Sequence, residues 1–300
     1  MVLPSYISLQ EKGNLQERVK ILREILQECR LCPRECKVNR LEGEKGYCGA
    51  GNDLTISSAF PHFGEEPPLV GYYGSGTIFL THCNLRCAFC QNYDISHGGE
   101  GERISASDLV KYMLALQNRG CHNINFVTPT HYVPQIVAVL PEAIEMGLKI
   151  PLVYNCGGYE SLEVIRLLDG IIDIYMPDAK FSQEEYAAKY CNAPDYPEVI
   201  KRVLLEMHRQ VGDLQLDGQG IAHRGLLIRH LVMPGGVAGT KEIVPFIANR
   251  LSTHSYVNIM NQYRPLYKAG THAEINRRVS FREYREAIQI AKKAGLHRGF

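Results

Sequence analysis

Cys83, Cys87 and Cys90 fall within one octapeptide, Cys83-Asn84-Leu85-Arg86-Cys87-Ala88-Phe89-Cys90, at C-x3-C-x2-C spacing. Three thiolates are one ligand short of a closed tetrahedral metal site or a fully ligated four-iron cluster. A cubane held by three cysteines keeps one iron open, and an open metal position is where chemistry takes place. An aromatic residue, Phe89, directly precedes the third cysteine. The spacing, the missing ligand and Phe89 together point to a [4Fe-4S] cluster that binds S-adenosylmethionine (SAM) and cleaves it to a radical.

A second group, Cys29, Cys32, Cys36 and Cys48, has C-x2-C-x3-C-x11-C spacing, with Pro33, Arg34, Gly46 and Gly49 punctuating it. Four cysteines can close a tetrahedral site, so this group is expected to hold either a zinc ion or an auxiliary iron–sulfur cluster. The chain has ten cysteines, seven of them before residue 91. In a reducing compartment that usage argues for metal or redox chemistry rather than a disulfide framework. The scattered Cys121, Cys156 and Cys191 read as small buried hydrophobes.

These residues need a scaffold. From residue 77 onward, short apolar runs at 77–81, 123–127, 152–155, 171–175, 226–232 and 257–260 alternate with helical patterns. The runs, rich in Ile, Val, Leu and Tyr, are expected to be buried parallel strands. Helices are expected from Ser105 to Gly120, over 134–146, 160–168 and 197–210, and from the Ser280/Glu283 capping box to Gly295. Six alternations suit a partial (β/α)6 barrel, with a doubly wound sheet as the alternative. The three-cysteine motif directly follows the first strand, at the edge where barrel sites form. Residues 1–70 are expected to form a helix, at 14–28, and a small cysteine-rich metal-binding segment with a Gly/Pro-rich connection through Phe60-Pro61-His62-Phe63-Gly64 and Glu65-Glu66-Pro67-Pro68; residues 71–300 are expected to form the barrel.

The formal net charge is +1, which gives no electrostatic basis for binding nucleic acid or an anionic membrane. No apolar run is long enough to span a bilayer, and the first residues lack a signal-peptide pattern, so a cytoplasmic location is expected.

The chain resembles the radical SAM superfamily, and within it the pyruvate formate-lyase activating enzyme group. Cys90-Gln91-Asn92-Tyr93-Asp94 is similar to that group's Cys-His-Asn-x-Asp, with Gln91 in place of histidine. His97-Gly98-Gly99 matches its His-Gly-Gly, Met176-Pro177-Asp178-Ala179-Lys180 its Met-x-Asp-x-Lys, and Arg229-His230 through Pro234-Gly235 its Arg-Tyr, apolar run and Pro-Gly. The resemblance implies a partial barrel in which Phe89 packs near the adenine, Asp178 and Lys180 face SAM, and Arg229 meets its carboxylate. Asn155 is a candidate for the ribose or methionine end. Where the group has Gly-Gly-Glu after the second strand, this chain reads Thr128-Pro129-Thr130-His131. Thr128 and Thr130 are then the candidates to accept from the SAM ammonium, with His131 a packing residue. The N-terminal cysteines resemble a Cys-x2-Cys-Pro-x2-Cys opening of an activating-enzyme-like branch.

The implied activity is reductive SAM cleavage, with hydrogen abstraction from a substrate, in its strictest form a glycine of a partner protein. A reductant protein such as flavodoxin or ferredoxin is the expected electron donor. The competing reading is an iron–sulfur or zinc protein that carries electrons or serves as a scaffold without radical chemistry. At the end of the sixth strand Asn261, Gln262, Tyr263 and Arg264 form a polar group expected either to touch substrate at the barrel rim or to cap the final helices.

Overall fold

In a computed structural model, residues 3–300 are described. Among the described residues, nine strands form a single mixed sheet: β1 (Thr55–His62), β2 (Ser75–Leu80), β3 (Glu102–Arg103), β4 (Ile124–Val127), β5 (Leu152–Cys156), β6 (Ile174–Pro177), β7 (Gln215–Leu216), β8 (Ala222–Leu231) and β9 (Tyr256–Met260). The order is β3-β1-β2-β4-β5-β6-β8-β7, with β9 alongside the second half of β8. The run β2-β4-β5-β6-β8-β9 is parallel throughout, and its six strands do not close. This is a partial parallel α/β barrel, as expected from the sequence.

The central strands are apolar on both faces because helices cover the outside and side chains fill the inside. The outer layer includes helices Ala106–Asn118, Val133–Glu145, Leu162–Leu167, Tyr196–Val211, Thr240–Arg250 and Phe281–Lys293. Ser105 with Asp108 and Ser280 with Glu283 form reciprocal capping boxes that fix where two of these begin. Helix Asn14–Glu24 packs on Val133–Glu145 and stops short of the expected residue 28 as the chain turns into the cysteine segment.

Three expectations are corrected. Residues 55–62 form β1, antiparallel to β2, rather than a connection. Pro61 is tolerated there because beyond Ile56 this strand is an edge, where a missing N–H breaks no ladder. The fourth parallel strand is Ile174–Pro177 rather than 171–175. Ile171 and Ile172 are buried in the turn before it, and the Asp173 carboxylate pins that turn by accepting from the backbone N–H groups of Ser5 and Leu152. Helices Glu184–Cys191 and Thr240–Arg250 are additional to those expected.

Candidate active site

The motif loop leaves the C-terminal end of β2 and is braced from outside. The N–H groups of Arg86 and Ala88 donate to Cys191 and Tyr190, the last residues of helix Glu184–Cys191. Beyond the loop, a short helix, Tyr93–Ser96, turns back through His97-Gly98-Gly99. A side chain on Gly98 would run into the Asp94 carbonyl at 2.4 Å, and Gly99 has φ +72° against the His82 ring, so both positions require glycine.

Cys83, Cys87 and Cys90 line one cavity at this edge of the sheet, of about 1020 Å³ including its open mouth. Phe89 and Tyr263 form an aromatic wall, with ring centroids 5.9 Å apart, and Phe181 backs Phe89 at 6.0 Å. The opposite wall is polar. Arg229 Nε donates to Asp178 Oδ1 and Nη2 to Asn155 Oδ1, both at 2.7 Å, while Lys180 Nζ donates to Asp178 Oδ2 at 2.6 Å. The register explains this convergence: Val127 pairs with Asn155, Asn155 with Met176, and Asp178 bridges to Arg229, so one layer collects the ends of β4, β5, β6 and β8.

Burial pulls the Asp178 carboxyl up, but Arg229 and Lys180 together outweigh it and hold it below the ordinary range. Burial works against the Lys180 charge, and Asp178 with Cys87 more than offsets it. Two further carboxylates, Glu65 and Glu66, sit in the turn after β1, whose Leu69 is buried inside the barrel with Val153, Ile174, Met176 and Leu227. Asn258 Nδ2 donates to Glu66 at 3.0 Å, and Glu65 lies 3.7 Å from Arg229. Burial raises the Glu65 carboxyl to about 7, with Arg229 opposing the rise.

The expected site residues divide accordingly. Phe89, Thr128, Asn155, Asp178, Lys180 and Arg229 come together on the cavity. Thr130 does not: it is fully buried and its hydroxyl donates to Glu160 Oε1 at 2.9 Å, on the far side of the strand end. His131 is a packing residue whose ring bonds the Thr81 carbonyl at 2.7 Å. Gln262 and Arg264 lie at the cavity mouth, whereas Asn261 is exposed away from it. Tyr263 is wall rather than rim, 2% exposed, with its hydroxyl on the Ile275 carbonyl. Sequence reasoning missed Glu65 and Glu66, whose approach to Arg229 has no local signature, and missed that Cys156 lines the cavity and Cys191 touches Cys87.

A family model for the Radical SAM superfamily matches residues 77–213, from β2 through the motif loop and past β6. Uncharacterized protein MJ0674 of Methanocaldococcus jannaschii is 34% identical over 296 residues, covering 95% of this chain and 80% of that protein. The chain belongs to the radical SAM superfamily. Uncharacterized protein MJ0808 of the same organism is 26% identical over 183 residues, 55% of this chain and 52% of its own length.

Membership of the radical SAM superfamily implies a [4Fe-4S] cluster and SAM, and the donor chemistry fits. Burial pushes the Cys83 and Cys90 thiols up, and each is raised further by Cys87. Cys87 is raised first by its contact with Cys191 and then by burial. Three thiols, Cys87 buried and Cys83 and Cys90 half-buried, face one cavity and become thiolates with a cation among them, as a ligated metal supplies. Among the described residues, no three Cys, His, Asp or Glu side chains are already gathered at metal-binding distance; this holds at both cysteine groups. Among the described residues, no helix is long and apolar enough to cross a membrane.

Proposed function

We propose that this radical SAM enzyme holds its cluster on Cys83, Cys87 and Cys90, binds SAM in the adjoining cavity, and abstracts hydrogen from a polypeptide, in the manner of a glycyl-radical activating enzyme. The supporting observation is the meeting of the three motif thiols with Asn155, Asp178, Lys180 and Arg229 on one cavity walled by Phe89 and Tyr263. When bound, the cluster supplies the electron that breaks a carbon–sulfur bond of SAM and releases the 5′-deoxyadenosyl radical.

The chain's own residues bind and orient. Phe89 and Tyr263 offer the apolar face an adenine requires. Asn155 presents a carbonyl and an amide to the polar end of the ligand, and the Thr128 hydroxyl accepts from the ammonium. Arg229 and Lys180 are both engaged by Asp178, so the layer stays charged and rigid, ready to meet a carboxylate without rearrangement. The open mouth, flanked by Gln262 and Arg264, suits entry of an extended peptide segment. The electron donor is an external one-electron reductant, a protein of the flavodoxin or ferredoxin class.

The test is 5′-deoxyadenosine formation by the anaerobically reconstituted, dithionite-reduced protein with SAM. The wild type is expected to form it and Cys87→Ala to form none. Equal formation by both sinks the cysteine assignment. An EPR signal of the reduced cluster that SAM leaves unchanged favours the electron-carrier reading instead.

A further inference from the structure

Arg40 is fully buried, yet every polar partner of its guanidinium is a backbone carbonyl. Nε and Nη2 donate to Gly51 O, and Nη1 donates to His131 O at 2.7 Å. Among the described residues it forms no ion pair. A buried cation without a counter-charge is costly, by several kcal/mol in general, and is rarely retained without something to balance it.

The balancing group has a place. Arg40 lines a small pocket, with about 10 Å³ open to water, that is also lined by Cys29, Cys32, Cys36 and Cys48. The one carboxylate residue on the lining, Glu35, is solvent-exposed. His131, which also lines the cavity, is 2% exposed and its Nδ1 has no hydrogen-bond partner. The backbone is already folded around sulfur. Tyr47 N–H donates to Cys36 Sγ at 3.2 Å, and the Cys29 and Lys37 N–H groups donate to Val38 O and Cys29 O, both at 3.0 Å. A side chain on Gly46 would strike Cys36 Sγ at 2.8 Å. These contacts shape the loop that carries the four cysteines beside Arg40.

We propose that Cys29, Cys32, Cys36 and Cys48 hold a tetrathiolate metal centre whose surplus negative charge is matched by Arg40. A zinc ion with four thiolates and an oxidised all-cysteine four-iron cluster are both net dianions, so either supplies the charge that Arg40 lacks. The centre also stands behind the radical motif. Arg34, between Cys32 and Cys36, donates to Asn84 O at 3.1 Å and to Asn192 O at 2.5 Å, and stacks over Tyr47 at 4.0 Å. Metal bound here therefore fixes the loop that carries Cys83 and Cys87. None of this rests on the SAM reading.

The experiment uses the full-length C83A/C87A/C90A variant, purified anaerobically, with zinc and iron counted per chain by elemental analysis before and after reconstitution with Fe²⁺ and sulfide. Retention of about one zinc, with Co²⁺ exchange giving tetrahedral thiolate bands, or about four irons with an iron–sulfur absorption, is expected; the two arms separate zinc from cluster. Binding of neither metal by a variant with a native circular dichroism spectrum overturns the proposal. Should that variant not fold, Cys48→Ala in the wild-type background gives the same reading: metal content is expected to fall, and an unchanged zinc and iron count overturns the site. Arg40→Met is expected to weaken Co²⁺ binding about tenfold, with Arg40→Lys recovering part of it. Equal affinity in Arg40→Met overturns the charge match.

Discussion

Cys191 sets its thiol 3.2 Å from the thiol of Cys87, inside the core and one helix away in sequence from Lys180. When Cys87 is a cluster thiolate, a neighbouring S–H is a hydrogen-bond donor to it. Donors to cluster sulfurs favour the reduced, more negative state and raise its potential. Cys191→Ala is therefore expected to keep the cluster's iron content and lower its midpoint potential by some tens of millivolts, with Cys191→Ser shifting it less. An EPR-monitored redox titration reads the shift directly. An unchanged midpoint in the alanine variant removes Cys191 from the cluster's environment.

Asp178 neutralises two cations at once, Lys180 at 2.6 Å and Arg229 at 2.7 Å, each less than one-fifth exposed. Removing one partner of a buried pair leaves the other uncompensated and typically costs about 3–5 kcal/mol. Asp178→Asn is expected to lose about 3 kcal/mol of stability and most SAM affinity. Glu65 and Glu66 limit the damage, since they lie 3.7 Å and 4.0 Å from Arg229. Because the Asp178 pKa is depressed, its contribution is present above the ordinary carboxylate pKa and disappears as pH falls through the folded value. Denaturant unfolding at pH 7 of wild type and variant decides it; coincident curves contradict the argument.

Glu160 works in the opposite sense. It is 2% exposed, accepts from Tyr154 and Thr130, and burial raises its carboxyl from 4.5 to about 7. A raised carboxyl contributes stability that is full below the unfolded pKa near 4.5 and is lost as pH rises through about 7. The loss for this one group is on the order of 3 kcal/mol. Glu160→Gln is uncharged at every pH and keeps a carbonyl acceptor for Tyr154, while its amide donates to the Thr130 hydroxyl instead of accepting from it. The variant is expected to show a smaller drop in urea midpoint between pH 5 and pH 8 than the wild type. Equal drops would falsify the assignment.

The parallel strands were legible because runs such as Leu152–Cys156, all buried, leave no polar alternation to misread. The motif was legible from its spacing, Asn155 from its place at a strand end, and Asp178, Lys180 and Arg229 from the resemblance, and strand-end register explains why the four side chains meet. What stayed hidden depends on contacts between distant segments. Glu65 and Glu66 read as part of a Gly/Pro-rich connection, and only the packing of the turn after β1 inside the barrel carries them to Arg229 and Asn258. Thr130 read as a candidate to accept from the SAM ammonium because it stands where the resembled group has Gly-Gly-Glu. Here the chain reverses at Thr128, whose φ is +59°, and the next hydroxyl is delivered to Glu160 instead.

That reversal is itself testable. Thr128 is β-branched and held in the left-handed region, while its N–H donates to Asn155 O at 2.8 Å. A non-glycine residue in this region typically stores about 1–2 kcal/mol, more readily tolerated at a site than elsewhere. The surrounding strand ends β4 and β5 impose the conformation, so the backbone will keep it whatever side chain is present. Thr128→Gly is expected to gain about 1 kcal/mol of stability while weakening SAM binding several-fold, because the hydroxyl on the cavity wall is gone. Thr128→Ser keeps the hydroxyl and is expected to bind SAM as the wild type does. Equilibrium SAM titration beside denaturant unfolding separates the two effects. A glycine variant that binds SAM at wild-type affinity removes Thr128 from the ligand's contacts, and one that is less stable than the wild type removes the strain.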